Sequence, residues 1–299
     1  MQGKLTRVET TIEEREDQGQ TVLVPSYALV VDDVPLPILP EAPISLKFER
    51  VGAGFCQHCE SALMRSYGGG YCYDCFSTLA RCDLCIVSPE RCHLHLGTCR
   101  DETWADEFCQ QAHVVYLAIS SGPKVGITRQ NRLYRRWVDQ GAVQAMAIAH
   151  VGSRRTAGFI ETKLRNYVSD RTDWRKMVTG NPVKADLLEL ERQLRGIVPQ
   201  FDDLAPEFVD ATEADEMTWA DQKQVVAVRY PVQSFAPAQM LKLDDSNPIV
   251  HDNLLGFMGG YVLLRSGVLP FSALSAGNVM VTIGEPLGAL PSAPQMKLF

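Results

Sequence analysis

All nine cysteines of this 299-residue chain fall between Cys56 and Cys109, and no other feature restricts its folding as tightly. The first four are spaced Cys56-x2-Cys59, then twelve residues, then Cys72-x2-Cys75. Each CxxC pair puts two thiolates on one side of a tight turn, and two pairs complete the tetrahedron that zinc prefers. Gly68-Gly69-Gly70, just ahead of the second pair, gives the backbone freedom to fold back. Reduced cysteines that merely pack would not call for repeated CxxC spacing. The N-terminal stretch carries Glu9, Glu13, Glu14 and Glu16 and no apolar run, so it does not read as a signal peptide. The expected compartment is therefore the reducing cytoplasm, where clustered cysteines bind metal rather than form disulfides. The most apolar late stretch, Leu254 to Leu269, is cut by Gly259, Gly260 and Arg265. It is shorter than the roughly 20 residues that a membrane helix needs, so no membrane partner is expected.

The second half of the cysteine cluster is looser. Cys82-x2-Cys85 is a third pair and needs two more ligands. Cys92 and Cys99 are the choice, with His95 as substitute; Cys109 and His113 either join them or serve a third metal. A cross-braced arrangement, with pairs shared between sites, is also open. His58 is read as a turn residue, and His93, adjacent to Cys92, as a bystander. The expected ligands are thus Cys56, Cys59, Cys72 and Cys75 for one ion and Cys82, Cys85, Cys92 and Cys99 for another. Two filled zinc sites leave no open position for water, so both are structural, and their binding energy goes into folding.

Charge marks a second region. The chain carries −7 overall, yet Lys124 to Lys176 holds 12 Lys/Arg against 4 Asp/Glu, so the rest sums to −15. A basic island in an acidic protein points to a polyanionic partner. Val114 to Ile119 reads as a strand, Ser120 to Pro123 as a turn and Lys124 to Ile127 as the return strand. Asn131 to Gln140 reads as a helix ended by Gly141, and Val143 to Val151 as a third strand. Thr156 is the expected cap of the next helix, with Ala157, Ile160, Leu164 and Tyr167 at helical spacing. Asn181-Pro182 is expected to open a further helix.

The flanks are β-rich. Gly3–Val8, Thr21–Val24, Ala28–Val31 and Ile44–Phe48 read as strands, with Pro25-Ser26 as a break and Pro35 to Pro43 as a connector. Gln224–Tyr230, Gly256–Leu264 and Val279–Ile283 read as strands near the other end, with bulges at the glycines. Both ends of the chain can form one β-domain. Between them, Asp202 to Asp221 holds eight Asp/Glu and no Lys/Arg. It reads as a solvated linker, with a nucleic-acid mimic covering the basic site as the alternative. The expected class is α+β. Its units are an N-terminal β segment (1–52), a cysteine-rich zinc module (53–112), a ββαβα domain (113–199), an acidic linker (200–222) and a C-terminal β domain (223–299).

That strand-strand-helix-strand-helix order resembles the GIY-YIG nuclease fold over about 85 residues. Val115-Tyr116-Leu117 stands where the GIY triplet belongs, and Lys124-Val125-Gly126 where YIG belongs, with lysine replacing tyrosine. Ile127-Thr128 continues it like the KIG-type variant. The resemblance implies catalytic roles for Tyr116 (water activation), Lys124 (assisting it), Arg136 or its neighbour Arg135 (phosphorane charge) and Glu161 (one Mg²⁺ or Mn²⁺). It implies a divalent-metal-dependent endonuclease, with Arg129, Arg132, Arg135, Arg154 and Arg155 gripping DNA or RNA. A non-catalytic nucleic-acid-binding protein with a degenerate nuclease fold is the alternative. Each residue also has a plain reading: Tyr116 as a sheet aromatic, the arginines as a solvated face, Glu161 as an i,i+4 ion pair with Arg165. Over its full length the chain resembles an uncharacterised bacterial and archaeal family of unknown function. The resemblance rests on Gln2-Gly3-Lys4-Leu5, Gly70-Tyr71-Cys72-Tyr73, Gly97-Thr98-Cys99-Arg100 and Lys124 to Thr128.

Overall fold

A computed structural model describes residues 2–39, 43–63, 65–197, 218–220, 223–275 and 278–288. The strands are β1 (Gln2–Asp17), β2 (Gln20–Val31), β3 (Val34–Ile38), β4 (Ser45–Arg50), β5 (His113–Ile119), β6 (Pro123–Arg129) and β7 (Gln144–Val151). They continue with β8 (Thr218–Trp219), β9 (Val226–Val228), β10 (Ile249–Met258), β11 (Tyr261–Leu264), β12 (Gly267–Pro270) and β13 (Val279–Gly284). The helices are α1 (Tyr73–Thr78), α2 (Glu102–Phe108), α3 (Leu133–Asp139), α4 (Arg154–Leu164), α5 (Trp174–Val178), α6 (Leu187–Ile197) and α7 (Phe271–Ser275). The molecule is mixed α+β, and its 13 described strands form one sheet in the order β12-β11-β10-β4-β13-β1-β2-β9-β7-β5-β6. The edge strand β3 pairs with β2, and β8 with β7. No helix among the described residues is long and apolar enough to cross a membrane.

The two ends of the chain meet in this sheet. Antiparallel β13 lies between β1 and β4, and β10 adds to β4. Leu5, Leu29, Leu46, Phe48, Phe257 and Val281 bury one continuous core there. The three-residue β9 joins this half to the rest, pairing parallel with β2 and antiparallel with β7. Central β5 runs antiparallel to both β6 and β7 and is buried along its whole length. Helices and sheet cover both its faces, which explains an apolar run without alternation. Val115, Leu117 and Ile119 face α4 and α6, through Ile160, Leu164 and Leu194. Tyr116 and Ala118 face the other way, against Trp137 of α3 and Leu23 of β2.

Several local expectations are corrected. Thr21–Val24 and Ala28–Val31 are one strand, because Pro25 sits in β2 between the stretch paired to β9 and the stretch paired to β3. A missing N–H costs no ladder bond there. Pro35 and Pro37 lie in β3 rather than a connector, on the sheet edge where proline is tolerated. The cap of α4 is Ser153, which accepts from the Thr156 amide, so the helix begins with two arginines that give no apolar signal. Pro182 opens no helix. Val183 N–H is tied to Ser121 O at 2.9 Å, and α6 starts only after Asp186 accepts from the amides of Leu188 and Glu189. Strand structure in 224–230 shrinks to Val226–Val228. Apart from residues 218–220, the acidic stretch 202–221 lies outside the described residues, as does most of the segment after Pro286.

Candidate functional site

The first four cysteines converge. Ligand atoms of Cys56, Cys59, Cys72 and Cys75 all lie within 4.8 Å of one another, so this cluster could hold a zinc ion. Positive φ at Gly68, Gly69 and Gly70 (53°, 83° and 147°) turns the chain back between the pairs. Cys72 caps α1, its sulfur accepting from the Cys75 amide, while its own N–H donates to Cys56 Sγ at 3.3 Å. Burial pushes the Cys56 thiol up, but amide donors from Cys59, Cys72 and His58 outweigh it and hold it down at about 6. A thiol that ionises this easily is ready to bind metal.

The second set does not assemble as expected. Cys85 gathers with Asp83 and His93, and Cys92 lies near enough to influence its thiol electrostatically. Cys82 and Cys99 join no such group among the described residues. Cys82 closes one 3₁₀ turn (Ala80–Cys82) and Cys85 lies in the next (Leu84–Ile86), so the pair does not form one knuckle. Cys99 turns to the Asp101 carbonyl at 3.4 Å instead. The group includes Asp83 and His93, which spacing rules built on CxxC pass over.

Beside this loop lies a cleft of about 560 Å³. Arg129, Arg132, Arg135, Arg136, Arg154 and Arg165 line it, with Glu90, Asp139, Glu161 and Asp170 among them. Arg129 lies 4.2 Å over the ring of Phe108 and donates its planar face to that wall. Arg135 is held by Asp139 and by the Thr10 carbonyl, at 2.8 and 3.0 Å. Arg155 is not part of the lining; it lies over Phe159.

Glu161 reaches this cleft without an ion pair among the described residues. The expected partner, Arg165, pairs with Asp170 at 3.2 Å and donates to Thr162. Burial pushes the Glu161 carboxyl up; Arg165, Arg136 and Lys124 oppose that shift and Asp170 adds to it. Below the floor lie Tyr116, 0% exposed, and Lys124, 6% exposed. Arg136 Nε donates to the Tyr116 hydroxyl at 3.3 Å, and that hydroxyl donates to Gln140 Oε1 at 3.1 Å. Tyr116 is therefore a post that holds Arg136 by its inner nitrogen and leaves the outer ones to the cleft. Lys124 Nζ donates to Thr172 Oγ1 at 3.3 Å, and Thr172 meets Ser120 at 2.9 Å. Burial and the charge of Arg136 push the Lys124 ammonium down to about 8.

Gly126 stands opposite Tyr116 in the β5–β6 ladder, and a Cβ there would run into the phenol oxygen and ring. Gly126→Ala should therefore displace Tyr116 and destabilise the protein by about 1–3 kcal/mol, the usual range for overpacking. Urea denaturation measures this; a loss below about 0.5 kcal/mol would mean that the ring moves aside freely.

No curated protein and no solved structure matches the chain. Residues 44–278, which take in the cysteine clusters and the cleft, match the family described as protein of unknown function (DUF2797), and the chain belongs to that family.

Proposed function

We propose that the chain acts on nucleic acid, cutting phosphodiester bonds in the arginine-lined cleft as a divalent-metal-dependent endonuclease of GIY-YIG-like type. One observation carries the reading: Glu161 and Arg136, 25 residues apart, enter the same cleft, and the carboxylate has no salt-bridge partner among the described residues. An unpaired, partly buried carboxylate with Asp170 nearby suits a hard cation such as Mg²⁺ or Mn²⁺, which binds through one or two carboxylates and keeps several waters. A divalent ion at such a site supplies Lewis acidity toward water and phosphate.

The chain's own residues would do the rest. Arg136, anchored through Nε, offers its outer N–H groups to the charge that builds up on a phosphorane. Tyr116, fully buried, acts through Arg136 instead of touching water. Lys124 adds a buried positive charge below the floor. Arg129, Arg132 and Arg154 grip phosphates along the cleft, and the zinc module forms one side of it.

The burial of Tyr116 and Lys124 favours a second reading, a nucleic-acid-binding protein that keeps the frame without the reaction. The two separate cleanly. Single- and double-stranded DNA and RNA are incubated with the protein and Mg²⁺ or Mn²⁺. The first reading expects cleavage that Glu161→Gln lowers by more than about 100-fold, since even outer partners of a metal site cost about 10- to 100-fold. No cleavage of any substrate, with binding that weakens steeply as salt rises, would leave only the second.

A further inference from the structure

The segment from Asp83 to His93 is closed on itself. Two short turns, Leu84–Ile86 and Pro89–Arg91, fold it so that Cys92 comes into the electrostatic neighbourhood of the Cys85 thiol. Across the same point Asp83 Oδ1 lies 3.5 Å from His93 Nε2. Ligand atoms of Asp83, Cys85 and His93 are all within 4.8 Å of one another. These three supply one thiol, an imidazole and a carboxylate, and the Cys92 thiol beside them is the fourth donor that tetrahedral zinc calls for. Each outer ligand is also oriented from behind. His93 Nδ1 meets Thr98 Oγ1 at 2.9 Å, and Asp83 Oδ2 takes Arg100 Nε at 2.8 Å, which turns Nε2 and Oδ1 toward each other, Oδ1 also accepting from the Cys85 amide at 3.4 Å. Such partners fix the tautomer and aim of metal ligands.

This loop is also a wall of the cleft. Ile86, Val87, Pro89 and Glu90 line it. Helix α4, which carries Glu161, sits directly on the loop. A Cβ on Gly158 would come within 2.5 Å of Pro89 Cβ and 2.8 Å of the Glu90 amide nitrogen. Arg154 Nη2 donates to Ile86 O at 2.5 Å, and the Arg154 amide to Cys109 O at 2.8 Å. No apolar cluster among the described residues includes any residue of this loop.

We propose that Asp83, Cys85, Cys92 and His93 bind a second zinc ion, and that this ion fixes the cleft wall on which α4 and Glu161 are seated. The ion-binding claim stands by itself; the importance of the wall for activity rests on the function proposed above. The ion closes the loop, the loop seats α4 through Gly158, and α4 sets where Glu161 enters.

The test is elemental analysis of the full-length protein, made in zinc-replete medium, together with hydrogen exchange. The wild type should carry about two zinc ions per chain, each in a four-ligand site. Cys85→Ser and His93→Ala should each carry about one, while Cys82→Ser and Cys99→Ser keep both. Cobalt loaded into the wild type provides a reading free of folding artefacts. Its thiolate charge-transfer bands should fall into two sets, a four-thiolate site and a two-thiolate site. Amide exchange across residues 154–164 should speed up at least about tenfold in His93→Ala, as expected of a local unit that has lost its support. One ion in the wild type, or loss of an ion in Cys82→Ser but not in His93→Ala, overturns the site. Loss of the ion with exchange in α4 unchanged overturns its link to the wall. Zinc content does not depend on cleavage, so an inactive protein with both ions would sink the nuclease reading and leave this one standing.

Discussion

Cys75→Ser is expected to strip the zinc ion from the first cluster and to unfold residues 54–79 while the sheet stays folded. The cysteine module has little else to hold it. None of the four apolar clusters includes a described residue between 55 and 79, and Phe55 and Tyr73 are exposed. Among the described residues its strand-like pairing is confined to the isolated bridges Phe55–Ala62 and Tyr67–Tyr71, beside a few turn bonds and the six-residue α1. In a segment built this way, metal binding is the folding energy. Cys75 is buried on α1 beside the other three ligands, and a serine oxygen there is a poor substitute for thiolate on a borderline-soft ion. Zinc affinity should fall by more than about a hundredfold, beyond the loss expected for an outer partner. Limited proteolysis should cut within 54–79 in the variant and not in the wild type, and circular dichroism should report the sheet intact. Unchanged zinc content and unchanged protease resistance would show that the cluster does not hold the module together.

The order of elements was legible because hydrophobic patterning survives tertiary context. Alternation in Ile44–Phe48 marked β4, and the apolar run at Val114–Ile119 marked a strand buried on both faces. Misreadings fell where a local rule met a long-range partner. Pro25 looked like a break because nothing in the sequence says that β9 and β3 stop on either side of it. Pro182 looked like a helix start because the bond from Val183 to Ser121, 62 residues earlier, is invisible in sequence. For the same reason the continuity of the sheet through three-residue β9 could not be anticipated from so short a run.

The cleft was legible as a charge island, not as a geometry. Helical spacing suggested that Glu161 and Arg165 pair, yet Arg165 turns to Asp170 in the loop beyond the helix, and this is what leaves Glu161 open. Gln140 and Thr172, which hold Tyr116 and Lys124, carried no motif at all. The glycine of the Lys124-Val125-Gly126 stretch acquires a physical reason only once Tyr116 is seen lying across it. Chemistry that depends on residue type was readable; chemistry that depends on which of two partners a side chain chooses was not.

Lys124→Met is expected to make the protein more stable at pH 7 and to abolish function in the cleft. Methionine has about the same reach and needs no charge solvated. The wild-type ammonium is buried, and desolvation together with Arg136 pushes it from 10.5 down to about 8. A gap of that size corresponds to about 3 kcal/mol at roughly 1.4 kcal/mol per unit. The direction follows from proton counting. Between pH 8 and 10.5 the unfolded chain holds a proton that the folded chain has released, so wild-type stability rises with pH across that window. Below pH 8 both states are protonated and the folded protein bears the whole cost of the buried charge. The variant should thus be more stable by about 2–3 kcal/mol at pH 7, less the weak bond to Thr172, and the advantage should vanish as pH approaches 10.5. Paired urea titrations at pH 7, 9 and 10.5 read the difference directly, because groups away from Lys124 titrate alike in both proteins and Glu161, which Lys124 does influence, is a carboxyl far from this pH window. A variant less stable than the wild type at pH 7, or an advantage that does not change with pH, would mean that the ammonium is not under strain. A strained charge is kept when something outside the fold uses it. Greater stability combined with lost binding or cleavage would identify that use as the anion in the cleft above.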